Sequence, residues 1–252
     1  MLVDSHCHID AGEFDADRAE VMARARAAGV TAQVIPAITA DGFPALRALC
    51  AATEGLYPGY GLHPLFMDAH RPGHLDELAG WLERERPVAL GECGLDFYIE
   101  NPDADGQRHY FSAQLDLARQ FDLPLILHAR RAVEEVTIAL RRSGGLRGVV
   151  HSFSGSEEQA RQLWDMGFLI GIGGPVTWPR ARRLRRIVAG MPLEFLLMET
   201  DAPDQPLVGR RGERNEPALL SEICEVVAEL RGEDFDHVAA VTSANARRLF
   251  DF

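Results

Sequence analysis

The segment His6-Cys7-His8 sets two imidazoles two residues apart. In an extended strand, residues i and i+2 share a face, so both rings point one way and Cys7 the other. Such a pair can chelate one divalent ion, or it can be two unrelated polar residues at a strand end. Glu92, His128, His151 and Asp201 each stand at or just past the end of a short apolar run. Gly91 and Gly94 flank Glu92, which suits close approach of backbone to a site. Taken singly, Glu92 could be a loop charge, His128 and His151 satisfied core residues, and Asp201 a cap or turn residue. Together with His6 and His8 they form a set of four imidazoles and two carboxylates, a donor set of hard-to-borderline character for two metal ions. Glu199 shares the strand face of Asp201 one layer deeper and reads as support rather than ligand. Cys7 and Cys93, beside candidate ligands, should turn away and pack.

Elements must bring these residues together. Eight apolar runs recur along the chain: Leu2–His6, Ala32–Pro36, Leu56–Gly61, Val88–Gly91, Leu125–His128, Gly148–His151, Phe168–Ile172 and Phe195–Glu199. Most are continuous rather than alternating, as parallel strands covered on both faces require. Amphipathic stretches separate them, including Asp41–Ala52, His74–Glu85, Gly106–Phe121, Val133–Arg142, Arg180–Ala189 and Pro217–Leu230. Asp17-x-x-Glu20 and Ser156-x-x-Gln159 carry capping-box patterns, and Phe235–Leu249 closes the chain with a last helix. Repeating strand–helix units of about 30 residues predict a single (β/α)₈ barrel domain over residues 1–252, with active residues at the strand C-termini. A doubly wound open sheet is the alternative, but no GxGxxG follows the first run.

Composition narrows the chemistry. The 252 residues contain no lysine, so all 26 basic residues are arginine, against 38 acidic ones, for a net charge of -12. Schiff-base chemistry, a P-loop lysine and a carbamylated lysine bridging two metals are thereby excluded. A bridging ligand must be a carboxylate, a water or a hydroxide. The acidic balance argues against a coat for nucleic acid or a membrane-surface binder, though bound cations can reverse the local field. Four cysteines without a CxxC pair suggest a reduced, cytoplasmic setting. The first residues lack the pattern of a signal peptide, and no apolar stretch is long enough for a membrane span. A chain of this size can fold alone, so a monomer is expected.

The assembled motifs resemble the TatD family of metal-dependent deoxyribonucleases, within the amidohydrolase-like barrels. The matching segments are Asp4-Ser5-His6-Cys7-His8, Gly61-Leu62-His63-Pro64, Gly91-Glu92-Cys93-Gly94-Leu95-Asp96, Leu127-His128-Ala129-Arg130 and His151-Ser152-Phe153-Ser154-Gly155. They continue with Glu199-Thr200-Asp201-Ala202-Pro203, Arg214-Asn215-Glu216-Pro217 and Asn245-Ala246-Arg247-Arg248-Leu249-Phe250. The resemblance implies a TIM-type barrel, divalent-metal hydrolysis of phosphodiester bonds, and ligation by His6, His8, Glu92, His128, His151 and Asp201. It further implies single-stranded DNA or 3′ ends as substrate, cut in the 3′–5′ direction. Ser152, Ala129 and Arg131 depart from the commonest family wording; none is a ligand, so the departures bear on substrate preference.

The expected mechanism uses two ions (Zn, Mg or Mn) about 3.5–4 Å apart. Glu92 would bridge them, with His6, His8 and Asp201 on one and His128 and His151 on the other. A shared water becomes hydroxide, Asp201 accepts its proton, and phosphorus is attacked in line. His63 is expected to contact phosphate or protonate the leaving group; as a bland alternative it is a turn residue beside Pro64. Arg130 would fork onto a phosphate, or pair with Glu134 one turn later. Arg210, Arg211 and Arg214 are expected to line a strand path, whereas Arg180, Arg182, Arg183, Arg185 and Arg186 read as a solvated helix face with Leu184, Ile187 and Val188 turned inward. Trp178 could stack on a base or pack at the rim. Two other functions use the same residues less fully: hydrolysis of a small ester, amide or lactone, and a non-catalytic scaffold barrel.

Overall fold

The computed structural model describes all 252 residues, Met1–Phe252. Eight strands follow one another in a single parallel sheet in sequential order. They are β1 (Leu2–Asp4), β2 (Val30–Pro36), β3 (Leu56–Tyr60), β4 (Ala89–Asp96), β5 (Leu125–Arg130), β6 (Gly148–Val150), β7 (Leu169–Ile172) and β8 (Leu196–Met198). The sheet closes on itself where the Ser5 N–H donates to the Met198 carbonyl at 3.0 Å. Just beyond, the buried Asp4 carboxylate accepts the Thr200 N–H at 2.9 Å and its hydroxyl at 2.6 Å. The architecture is the expected (β/α)₈ barrel.

The helices are α1 (Arg18–Ala27), α2 (Phe43–Ala52), α3 (Gly73–Glu85), α4 (Ala104–Phe121), α5 (Val133–Ser143), α6 (Glu157–Asp165), α7 (Arg182–Gly190), α8 (Leu220–Arg231) and α9 (Phe235–Phe250). Of the two capping patterns, only one is made. Ser156 Oγ accepts the Gln159 N–H at 3.1 Å, and Gln159 Oε1 accepts the Ser156 N–H at 2.9 Å. Asp17 makes no capping bond, because Arg214 and Arg24 take its carboxylate.

Two apolar layers hold the barrel. The larger lies between sheet and helices and includes Cys7 and Cys93, as expected for residues turned from the site. A smaller cluster fills the barrel interior: Val3, Ala32, Val34, Ala89, Ile126, Val149, Leu169 and Leu197. Ala246, Leu249 and Phe250 of α9 join it, so the last helix plugs the barrel beneath. No helix is long and apolar enough to cross a membrane.

The strands depart from the expected runs at their ends, and in β1 and β4 the departure aims a candidate ligand. β1 ends at Asp4, two residues short of His6. Val3 and Cys7 are four apart and would share a face of a continuous strand, yet Val3 packs inside the barrel and Cys7 outside it. The break therefore resets the alternation and turns His6 and His8 inward. β4 runs on to Asp96, so Glu92 lies within the strand rather than after it. Its pairing with β5 shifts register between Leu90 and Cys93. Leu90, Cys93 and Leu95 all join the outer layer, so the bulge exchanges the faces and leaves Glu92 pointing inward. Gly61 makes room for it: a Cβ there would lie 2.5 Å from the Gly91 carbonyl carbon and 2.8 Å from the Glu92 nitrogen.

Candidate metal centre

Glu92 stands at the centre of the mouth, 1% exposed. Its Oε1 is 3.0 Å from His63 Nε2, 2.9 Å from His128 Nδ1 and 2.8 Å from His151 Nε2. Its Oε2 is 3.2 Å from His6 Nε2 and 3.5 Å from His8 Nε2. Asp201 Oδ1 is 3.4 Å from His6 Nε2 and 3.8 Å from His8 Nε2. Two nitrogen pairs are as close: His6 to His8 at 3.1 Å and His128 to His151 at 3.2 Å. All six expected ligands thus converge, with His63 beside them.

These spacings fit metal ions. Donors at about 2.0–2.2 Å from one cation are separated from each other by about 3.0–3.4 Å, the spacing seen here. Glu92 belongs to two candidate ligand groups, one with His6 and His8 and one with His63 and His128.

Electrostatics agree. Burial would raise the Glu92 carboxyl, but the imidazoles of His63, His151 and His6 outweigh it and hold it well below the usual carboxylate range. Burial pushes His63 down to about 4 and, with neighbouring His151, takes His6 well below its ordinary value. The other three rise against burial: His8 to about 9 through Glu92 and Asp201, His128 through Asp96 and Glu92, and His151 through Glu92 and Glu199. Burial lifts Asp201 to about 6, opposed by His151 and His8. Without a cation, protons on the rings supply the positive charge that Glu92 requires; a divalent ion can take their place.

Several residues that sequence reasoning did not single out hold the candidate ligands in place. Asp96 is buried, and its Oδ2 lies 2.8 Å from His128 Nε2 while Oδ1 accepts the Tyr98 N–H at 2.8 Å. It was visible only as the last residue of the Gly91–Asp96 motif. Gln205 donates from Nε2 to Asp201 Oδ2 at 2.5 Å and to Ser152 Oγ at 2.7 Å, which leaves Asp201 Oδ1 facing the centre. No spacing signal pointed to it. Glu199, expected as support, accepts the Ser152 N–H at 2.5 Å and approaches His151 Nδ1 at 3.6 Å. Asp201 itself takes a left-handed backbone, φ 56°, and is tied to the segment after β1 by its N–H to the His6 carbonyl. His63 accepts the Leu65 N–H at Nδ1, so its proton sits on Nε2 toward Glu92; it is not a mere turn residue.

The arginines divide. Arg210 pairs with Glu222 at 2.8 Å, and Arg214 grips Asp17 and Glu216, so both are committed within the fold rather than free for a strand. Arg211 has no carboxylate partner and borders a cavity of about 410 Å³ with Trp178 and Arg180. Trp178 donates its indole N–H to the Pro206 carbonyl, anchoring the rim. On α7, Ile187 and Val188 are buried as expected. Arg130 does not pair with Glu134; it lies over the Tyr98 ring, 3.8 Å from its centroid.

A barrel with this cluster at its C-terminal mouth defines a metal-dependent hydrolase. A family described as TatD related DNase matches residues 3–251, and the chain belongs to it. It is 40% identical over 253 residues to YjjV of Escherichia coli K12, named an uncharacterized metal-dependent hydrolase, covering 99% of this chain and 98% of that one. The crystal structure of YjjV superimposes with a TM-score of 0.96 over 100% of this chain and 98% of that chain, at 39% identity. A Cronobacter sakazakii protein named 3′-5′ ssDNA/RNA exonuclease TatD is 35% identical over 259 residues, covering 99% of this chain and 97% of that one.

Proposed function

We propose that this enzyme hydrolyses phosphodiester bonds of single-stranded nucleic acid, DNA first, from the 3′ end. The observation that carries the reading is the convergence of His6, His8, His128, His151 and Asp201 around Glu92 at a mouth rimmed by unpaired guanidiniums. The name of the Cronobacter relative supports the choice of substrate. Two divalent ions, Zn, Mg or Mn, would be held by His6, His8 and Asp201 on one side and by His128 and His151 on the other, with Glu92 between. When bound, such ions lower the pKa of a water and draw charge from phosphoryl oxygens.

The chain's own residues do the rest. Asp201 Oδ1 accepts the proton of the attacking water, since Gln205 occupies Oδ2. Asp96 keeps the His128 proton on Nε2 and leaves Nδ1 free as a donor atom. His63 holds its Nε2 proton toward Glu92, where it can also reach a phosphate oxygen. Arg130 and Arg211 attract the strand. The reading includes a monomer in the reducing cytoplasm, where four free cysteines persist.

The test is a panel of single-stranded DNA, RNA and small carboxylic esters, with EDTA and with Mg²⁺, Mn²⁺ or Zn²⁺ restored. Cleavage of single-stranded DNA, lost in EDTA and in a folded Glu92→Gln variant, is expected. Metal-dependent cleavage of the esters alone would replace the nuclease reading with a small-ester hydrolase.

A further inference from the structure

We propose that Arg130 and Arg131, stacked against Tyr98, form a phosphate clamp for the nucleic-acid strand beside the scissile bond. The proposal rests on the nuclease reading and adds the place where the flanking backbone is held.

Three observations converge. First, Tyr98 is 51% exposed at the exit of β4, although it is a large aromatic side chain. The Arg130 and Arg131 guanidiniums lie 3.8 Å and 4.6 Å from its ring centroid. Second, neither guanidinium has a carboxylate within ion-pair distance, although the chain carries 38 acidic residues against 26 arginines. The nearby acids are engaged elsewhere. Glu135 pairs with Arg108 at 2.6 Å, Glu134 accepts from the Gln159 amide at 3.2 Å, and Asp96 is taken by His128 and Tyr98. Third, the group is stitched to the centre. The Phe97 N–H donates to the Arg130 carbonyl at 3.0 Å, and Asp96 joins the Tyr98 backbone to the His128 ring.

Two free guanidiniums side by side recognise a phosphate oxygen pair by forked, charge-assisted hydrogen bonds. Stacking on Tyr98 restricts both side chains beforehand, so less freedom is lost on binding. Arg131 adopts a left-handed backbone, φ 53°, and its guanidinium lies against the Tyr98 ring. Arg130 follows His128 by two residues, so a phosphate held there belongs to a nucleotide next to the one being cut. The exposed ring offers a base an aromatic surface, which favours a single strand over an acidic peptide.

The test reads binding, not turnover. The Mn²⁺-loaded protein is titrated with a fluorescein-labelled phosphorothioate oligothymidylate, which resists cleavage, over a range of salt concentrations. Each phosphate contact contributes about 0.7 to the salt slope of a single strand, and the two guanidiniums share one phosphate, so Arg130→Gln/Arg131→Gln should flatten the slope by about 0.7. Affinity at low salt should fall roughly 10- to 100-fold. Arg141→Gln/Arg142→Gln, at two exposed arginines in the last turn of α5, removes the same charge at the opposite end of the barrel and should leave the slope unchanged. Tyr98→Ala should weaken binding and Tyr98→Phe restore it. An unaltered slope in the double variant, or equal competition by polyglutamate, overturns the clamp. Strand binding with the expected slopes but no hydrolysis of any phosphodiester would sink the nuclease reading and leave the clamp. Hydrolysis with an unaltered slope would do the reverse.

Discussion

Replacing Asp96 with asparagine tests how the fold prepares a ligand. The Asp96 carboxylate only accepts hydrogen bonds, so His128 must carry its proton on Nε2, 2.8 Å away. The Nδ1 lone pair then faces the centre, 2.9 Å from Glu92 Oε1 and 3.2 Å from His151 Nε2. Asparagine has one accepting and one donating end. If its oxygen stays on the Tyr98 N–H, its amino group faces Nε2 and drives the ring proton to Nδ1, where a cation has to bind. If the amide flips, its amino group meets the Tyr98 N–H, and a buried donor is left unpaired at about 1–3 kcal/mol. Both arrangements place the cost on metal binding or on the β4 exit. The loss of a supporting partner of this kind weakens metal affinity about 10- to 100-fold, or roughly 1.4–3 kcal/mol. Calorimetric titration of Mn²⁺ or Zn²⁺ into the metal-free variant measures it, with circular dichroism to verify folding. Nitrogen-15 NMR of the imidazoles reports the tautomer. A folded Asp96→Asn protein with wild-type metal affinity and an Nε2-protonated His128 would refute the reasoning.

Other outcomes follow from the same geometry. Metal uptake at pH 7 should release more than one proton, because His8 stands at about 9 and His128 and His151 are also raised; calorimetry in buffers of different ionisation enthalpy counts them, and uptake without release contradicts the assignment. His63 is depressed to about 4 by burial, so between about pH 6.5 and 4 the unfolded chain binds a proton that the folded one refuses. The metal-free protein should therefore lose up to about 3 kcal/mol as pH falls through that window, with no further loss from this group below it. Urea midpoints in EDTA should show that part of the slope missing in His63→Asn; identical slopes would count against it. Gly61→Ala should destabilise the protein by about 1–3 kcal/mol and depress activity, since its Cβ would collide with the backbone that carries Glu92; a neutral variant would mean that the contact relaxes without cost.

Much of this enzyme was readable along the chain. Continuous apolar runs separated by amphipathic stretches report two-sided burial of parallel strands, and that is a local property. The ligand types were equally local, since imidazole and carboxylate chemistry belongs to the residues themselves. Which way those residues face was not local. A strict period of two carried from Val3 would have turned Cys7 inward; the early end of β1 reversed it. The bulge between Leu90 and Cys93 did the same for Glu92, and Gly61 leaves room for the backbone that carries it. Partner choice was also decided in three dimensions. Asp17 looked like a helix cap, and Arg214, 197 residues away, took its carboxylate. Gln205 and Asp96 gained their roles only by proximity to Asp201 and His128. Hydrogen bonds and ion pairs act over a few ångströms, so residues distant in sequence acquire partners only when closure of the barrel brings them within reach.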